Sequence, residues 1–390
     1  MKRLLVFFDG TWNRPDDGNP VTNVVKLYRA ALPQDASGVQ QIAKYVVGIA
    51  TEQPMSRWIF AKGAAGIGVA ERIQDGYKFL VENYAAGDEI HIFGFSRGAF
   101  QARSLGGLIT HCGILRAEHA AHIANAWAAY QGARTNGGEA KVLAMRELGT
   151  YPARIRCIGV WDTVGNLGIP LAPKIIDARE LTFHDTTLSS LVDVGLHALA
   201  IDEPRGPFSP TLWTRKRGAA LPNGQIIEQV WFPGCHANVG GGYPDTGLSD
   251  ISLRWMAERA TAATGIAFDH AALAQGSVPD ALAEQVSPTS DGVFRVSGVL
   301  PYVRLIKQNK RGLSPWRRAI VGSWRSNLLA AGEEPVNESI HASATDRYGQ
   351  RVRLRCGNTI GMIVYRPRNL RAALGLSRWR RRKHSLPQGM

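Results

Sequence analysis

The sequence predicts an α/β fold: a mostly parallel sheet with helices on both faces, followed by a less regular C-terminal appendage. Three observations carry this expectation. Short apolar runs without polar alternation recur up to about residue 265, as strands buried on both faces do. Segments with apolar residues at helical spacing lie between them. Beyond residue 265 the alternation fades into short segments, prolines and basic residues. The expected division is therefore an α/β domain over 1–265 and a cap or appendage over 266–390.

The elements follow in order. RLLVFF at 3–8 is a first strand, ended by an Asp-Gly pair. IAKYVV at 42–47 is a second candidate. Over 66–84, Ile67, Ala70, Ile73, Tyr77, Leu80 and Val81 recur at helical spacing. EIHIFGF at 89–95 is the third strand, and 97–111 and 117–131 read as helices. RIRCIGVW at 154–161 and QIIEQVWF at 225–232 are further strands. The segment 249–264 is a helix with Ser249 or Asp250 as its N-cap. GAAGIG at 63–68 has the wrong glycine order for a dinucleotide fingerprint, and no strand directly precedes it.

Composition narrows the class. Hydrophobic residues make up 45% of the chain and charged residues 20%, which supports a buried core and argues against wholesale disorder. The net charge of +14 favours anionic partners. Much of it lies in a tail without acid, at Arg366, Arg368, Arg371, Arg378, Arg380, Arg381, Arg382 and Lys383. That tail is either a solvated terminus or a contact for an anionic membrane surface. Nucleic acid finds little support, because no recognised binding module is present. Cys112, Cys157, Cys235 and Cys356 show neither CxxC nor metal spacing, and are expected to be reduced thiols, most of them in the core. Only five consecutive apolar residues precede Asp9, too few for a signal peptide, and no run reaches the ~18 apolar residues of a membrane span. A cytoplasmic protein is expected, and any export would use a route that reads no signal peptide.

The chemistry concentrates in GFSRGAF at 94–100, where a serine stands between two glycines at a strand-to-helix junction. A G-x-S-x-G corner lifts the hydroxyl clear of the sheet at the carboxyl end of a strand. It also leaves the amide of Arg97 at a helix N-terminus, aimed where an oxyanion would form. Ser96 is thus a candidate nucleophile, which needs a base and an orienting acid. In the α/β-hydrolase order the acid follows and the histidine comes last. Asp162 ends the strand in CIGVWDTVGN, and His236 follows the strand in WFPGCHANVGGGY. Chain order, strand-end placement and glycine context agree for all three; His341 and then His197 are the alternative bases. A second oxyanion donor is sought in the loop after the first strand, at Gly10 or Thr11, with Asp9 orienting that loop or holding a cation. The ordinary alternative for Asp9 and Gly10 is a plain turn, and for an isolated Asp or His a cap or packed residue.

Five ordered stretches carry a resemblance: FFDGTWN at 7–13, GFSRGAF at 94–100, GVWDTVG at 159–165, LHALAIDEPR at 196–205, and the run 231–256 beginning WFPGCHANVGGGY. Together they resemble a bacterial and fungal α/β-hydrolase domain family, long listed as of unknown function, that includes the catalytic domain of type VI secretion phospholipase effectors. The resemblance covers roughly residues 3–260. It implies an α/β-hydrolase fold, a Ser96–Asp162–His236 triad and no cofactor. Many members carry Asp where this chain has Asn238, a change that spares the triad but counts against an ion-binding or loop-orienting role at that position. The expected function is a serine hydrolase of acyl esters, first of all those of lipids: a phospholipase, lipase or esterase. The alternatives are a thioesterase, small-ester hydrolase or acyltransferase with the same triad, and a non-enzymatic membrane-binding module. Trp316, Trp324 and Trp379 among arginines suit a lipid interface or ordinary packing.

Overall fold

The computed structural model describes residues 1–10, 20–48, 68–133, 137–164, 186–288, 302–308, 329 and 332–376. Thr11, Trp316, Trp324, Trp379 and the tail from 377 onward lie outside the described residues, as does most of the 63–68 glycine segment.

The core is a seven-stranded, all-parallel sheet. Its members are β1 (Arg3–Phe8), β2 (Gln41–Val46), β3 (Glu89–Phe95), β4 (Ile155–Trp161), β5 (Val192–Ala200), β6 (Ile226–Phe232) and β8 (Glu338–Ile340). Between the last two in sequence lies β7 (Gln285–Val286), which joins β9 (Arg351–Cys356) and β10 (Thr359–Val364) in a separate three-stranded sheet. The order across the main sheet is β8-β6-β5-β4-β3-β1-β2. The chain therefore runs outward from β1 to β2, then returns past β1 to β3 and continues the other way. This makes the β1/β3 boundary the topological switch point, where crevices open at the carboxyl ends of parallel strands.

The continuous apolar runs are explained by burial on both faces. Leu4, Val6 and Phe8 enter one core cluster, and Leu5 and Phe7 enter the other. The first cluster is covered by α2 (Val69–Asn83), α3 (Arg97–Cys112) and α4 (Ile123–Gly132), which present Ile73, Tyr77, Leu80, Leu105 and Leu108 among others. The second is covered by α1 (Asn23–Ala30) and α7 (Gly247–Thr264), through Val24, Leu27, Leu253, Met256 and Ala260. A short α6 (His236–Gly240) precedes α7, and α5 (Gly138–Gly149) packs beside α4.

Several sequence expectations need correction. Residues 117–131 are not one helix: Ala117–His122 is a 3₁₀ turn, and α4 starts at Ile123. Helix α7 begins at Gly247 with Thr246 as N-cap, so neither Ser249 nor Asp250 caps it. Asp250 is instead buried, taking the Thr246 hydroxyl at 2.7 Å, the Lys26 ammonium at 2.6 Å and the Val278 amide at 3.0 Å. The pattern does not reveal strand β5, because Asp193, Gly195 and His197 interrupt its apolar run. From the 266–390 segment, β8 pairs with β6 at the sheet edge, and Ile306, Ala344, Val352, Tyr365 and Leu370 pack with Leu199 and Trp231 in a third core cluster. Cys112, Cys157 and Cys235 are buried, and Cys356 is exposed.

Candidate active site

The site lies at the carboxyl ends of β3, β4 and β6, beside the switch point. Ser96 joins β3 to α3 with φ 59°, a conformation uncommon for a residue with a Cβ. The two flanking glycines are required by close approach. A Cβ on Gly94 would lie 2.4 Å from the Gly98 carbonyl oxygen, and one on Gly98 would lie 2.2 Å from that of Phe8. Helix α3 therefore presses its first turn onto the end of β1.

Asp162 follows β4 directly and also has a positive φ, 42°. Its backbone is pinned by neighbours: its N–H donates to the Ala198 carbonyl at 2.7 Å, and the next amide, of Thr163, donates to His197 Nε2 at 3.2 Å. His236 opens α6 after β6. The glycine run behind it allows the tight docking that its residue types suggest. A Cβ on Gly240 would lie 1.9 Å from the Phe95 ring, and one on Gly241 2.7 Å from the Asn23 nitrogen.

These three side chains meet. Ser96 Oγ lies 2.7 Å from His236 Nε2, and His236 Nδ1 lies 2.6 Å from Asp162 Oδ2. The imidazole sits between two aromatic rings, Phe95 at 4.7 Å and Phe208 edge-on at 4.9 Å. Its backbone amide donates to Glu203 Oε2 at 3.2 Å. Glu203 is held in turn by Arg205, whose guanidinium grips both carboxylate oxygens and lies 3.6 Å from the Phe208 ring centroid. Burial pushes the His236 ring below its ordinary value, against the pull of Asp162. The imidazole is then neutral at pH 7, the form that can take a proton.

Asp162 has a further partner that no sequence pattern signals. Arg304, fully buried, approaches it edge-on, with Nη1 2.5 Å from Oδ1 and Nη2 3.0 Å from Oδ2. The same guanidinium donates to the carbonyls of Ala200 at 2.8 Å and Phe208 at 2.6 Å. With the Ala200 amide at 3.0 Å on Oδ1 and His236 on Oδ2, each carboxylate oxygen accepts two hydrogen bonds. Burial alone would raise this carboxyl, but Arg304 and His236 hold it well below the usual carboxylate range. Glu203 and Arg205 close the LHALAIDEPR stretch and Phe208 lies three residues beyond it; nothing in their spacing points to the site.

The other candidates are placed as follows. The Arg97 N–H is the first of α3 and has no intrahelical acceptor. The Gly10 N–H donates to its neighbour's carboxylate, Asp9 Oδ1, at 2.6 Å, and in this structure it is not directed at an oxyanion. Asp9 is buried and also accepts from Tyr45 Oη at 2.6 Å and Thr22 Oγ1 at 2.9 Å, an arrangement that ties the end of β1 to β2 and α1. Burial pushes its carboxyl up to about 6. Asn238 ties the His236 loop to the second sheet, accepting from the Val286 amide at 3.2 Å and donating to the Glu284 carbonyl at 3.4 Å. His341 lies away from Ser96, stacked on Phe232 and capping a short helix through Ser343. His197 is buried beneath the Asp162 turn, and burial pushes it down to about 3. Asp202 accepts from the Gly234 amide and the Tyr365 hydroxyl, and it makes no contact with His236 Nδ1.

A parallel sheet with a strained serine corner between β3 and α3 defines the class as α/β-hydrolase-like. The chain belongs to the family described as the catalytic domain of Tle1-like type VI secretion phospholipase effectors, whose model matches residues 2–259. It is 30% identical over 243 residues to the uncharacterized protein YEL023C of Saccharomyces cerevisiae, a match covering 55% of this chain and 33% of that one. The chain thus spans about a third of the length of that curated relative. Among solved structures it is similar to an uncharacterized protein from Pseudomonas aeruginosa, with TM-score 0.46, 18% identity, and 72% of this chain and 49% of that one covered. It is also similar to the Tle1 effector bound to the VgrG spike of the type VI secretion system, with TM-score 0.34, 19% identity, and 63% and 52% covered.

Proposed function

We propose that the protein is a serine hydrolase that cleaves acyl ester bonds of lipids, in the manner of a phospholipase. The observation that carries this is the unbroken chain of contacts from Ser96 Oγ through both His236 nitrogens to Asp162. Family membership supports the lipid substrate.

Ser96 Oγ attacks the ester carbonyl carbon as His236 Nε2 takes its proton. The resulting oxyanion is met by the Arg97 N–H and by the positive end of α3. Collapse breaks the bond to the leaving oxygen, which receives the proton from Nε2. An acyl-enzyme remains. Water, deprotonated by the same nitrogen, then releases the fatty acid and restores Ser96. Asp162 keeps the Nδ1 proton in place and stabilises the imidazolium between these transfers.

The net charge of +14 and the basic C-terminal segment fit a protein that works at an anionic membrane surface. No helix among the described residues is long and apolar enough to cross a membrane. Synthesis in the cytoplasm, with export by a secretion system that reads no signal peptide, fits the family description.

The test measures fatty-acid release from phospholipids, short-chain esters and acyl-thioesters, together with labelling by a fluorophosphonate probe. Labelling lost in Ser96→Ala and turnover greatest on phospholipids are expected. Labelling that persists in Ser96→Ala overturns the nucleophile, and turnover greatest on thioesters assigns the same triad to a thioesterase.

A further inference from the structure

We infer that the open face of the β9–β10 hairpin is a docking surface for an anionic lipid bilayer. This deepens the proposed lipid hydrolase and rests on that reading for its biological sense, although its observations are independent of the triad.

The pairing register defines the face. Arg351 lies opposite Val364, Arg353 opposite Met362 and Arg355 opposite Ile360. Directly opposed residues of an antiparallel pair project from the same side. One side therefore carries an apolar row, Ile360–Met362–Val364, alongside a row of three arginines. The other side carries Val352 and Ile363, which pack in the third core cluster. The inner face is covered and the outer face is not.

The exposure is unusual in kind. Ile360, Met362 and Val364 are 48%, 54% and 48% exposed. Scattered exposed apolar residues need no explanation, but a contiguous row marks an interaction surface. This row also lies on an edge strand, because the order of the small sheet is β7-β9-β10. Edge strands ordinarily carry charge to prevent unwanted pairing.

Charge selects the occupant. From Arg347 to the end, the sequence carries twelve Arg and Lys and no Asp or Glu. Two acids reach the face from neighbouring elements: Glu284 pairs with Arg355, and Asp245 lies 3.5 Å from Arg353. Arg351 has no ion-pair or hydrogen-bond partner among the described residues. A second copy docked by a two-fold axis would bring the same arginine rows together, which like-charge repulsion opposes. Nucleic acid would engage the arginines but leave the apolar row in water. A bilayer satisfies both: phosphates meet the guanidinium groups, and the apolar row enters the headgroup–acyl boundary. The surface is also coupled to the catalytic side of the fold. Strand β9 pairs with β7, whose Val286 amide donates to Asn238, two residues beyond His236.

The experiment is flotation of the full chain, as the Ser96→Ala variant, with vesicles of mixed phosphatidylcholine and phosphatidylglycerol and with phosphatidylcholine alone. Binding to the mixed vesicles that weakens with added salt is expected. Replacing Ile360, Met362 and Val364 by Ser should lower partitioning about tenfold or more. Arg351→Gln with Arg353→Gln should lower it about fivefold per arginine and flatten the salt dependence. The same changes placed in the Ser96-containing chain should leave turnover of a soluble short-chain ester unchanged, which also reports that each variant is folded. Wild-type flotation in both sets of variants overturns the proposal. So does an absence of binding to mixed vesicles, or a dimer that the Ser variants dissolve while vesicle binding persists. Loss of binding on removing 377–390, with the hairpin variants unaffected, assigns the contact to the tail and also overturns it. Vesicle binding without ester hydrolysis would leave the docking face standing and refute the proposed function alone.

Discussion

Replacing Arg304 by Met removes the guanidinium and keeps most of the side-chain volume. Two guanidinium nitrogens leave the Asp162 carboxylate, and the carbonyls of Ala200 and Phe208 lose their donors. Breaking a buried ion pair from one side costs about 3–5 kcal/mol, because the remaining charge stays out of water. That is a large share of the roughly 5–15 kcal/mol by which a domain is stable, so a marked fall in Tm is expected. The pH dependence follows from the same contacts. The Asp162 carboxyl is held low in the folded state, so it contributes stability that is present above its unfolded value and lost as pH falls through the folded one. Without Arg304 the effect of burial prevails, the folded value rises, and that contribution shrinks at neutral pH. Losing a positive charge near the Asp162–His236 pair also makes the imidazole easier to protonate. The groups facing His236 are Asp162, Glu203 and Arg205, with Arg304 behind Asp162. The acid limb of kcat/KM on a soluble ester should therefore move to higher pH in Arg304→Met. Arg304→Lys keeps the charge but loses the paired geometry, and should move the limb less while still lowering Tm. The assay is a pH–rate profile beside a thermal melt of the same preparations. A variant that melts like the wild type, with its acid limb in place, would refute the argument that Arg304 supports Asp162 in the proposed triad.

Ser96→Ala and His236→Ala should each lower kcat by roughly 10⁴-fold or more, with the double variant little worse, because the two act as one unit; steady-state kinetics on phospholipid and short ester check this. In the wild type the acid limb of kcat/KM should lie below the ordinary histidine value, since burial disfavours the His236 cation and the ring stays a competent base as pH falls. Gly98→Ala would set a Cβ 2.2 Å from the Phe8 carbonyl oxygen and 2.6 Å from that of Asp9, both backbone atoms. It should destabilise by roughly 1–3 kcal/mol or more in a denaturant titration, whereas Gly38→Ala, with open space around it, should show only the strain of its positive φ. Cutting the chain after Leu376, which keeps Leu370 in the third core cluster, should weaken salt-sensitive binding to anionic vesicles while sparing short-ester turnover; flotation and steady-state kinetics of the same preparation check this.

Much of the main sheet was legible because two-sided burial writes itself as uninterrupted apolar runs, as in RLLVFF and EIHIFGF. Strand β5 escaped because its polar residues serve the structure locally: His197 accepts the Thr163 amide under the Asp162 turn, and Asp193 pairs with Arg154 and Arg156. The cap of α7 was misplaced for a related reason. Asp250 resembles a capping residue, but its partner is Lys26, 224 positions away.

The order and strand-end position of Ser96, Asp162 and His236 are local properties, set by the runs and glycines beside each residue, and the sequence by itself determined them. Their contacts depend on how the strands are ordered across the sheet, and only the tertiary structure decided those. Arg304 is the sharpest case. It lies 142 positions from Asp162, in a segment without strong periodicity and beyond the stretch shared with the family. No spacing rule links such residues. Burial by itself would raise the aspartate's carboxyl; Arg304 and His236 hold it low and charged, and that pairing exists only in the folded interior.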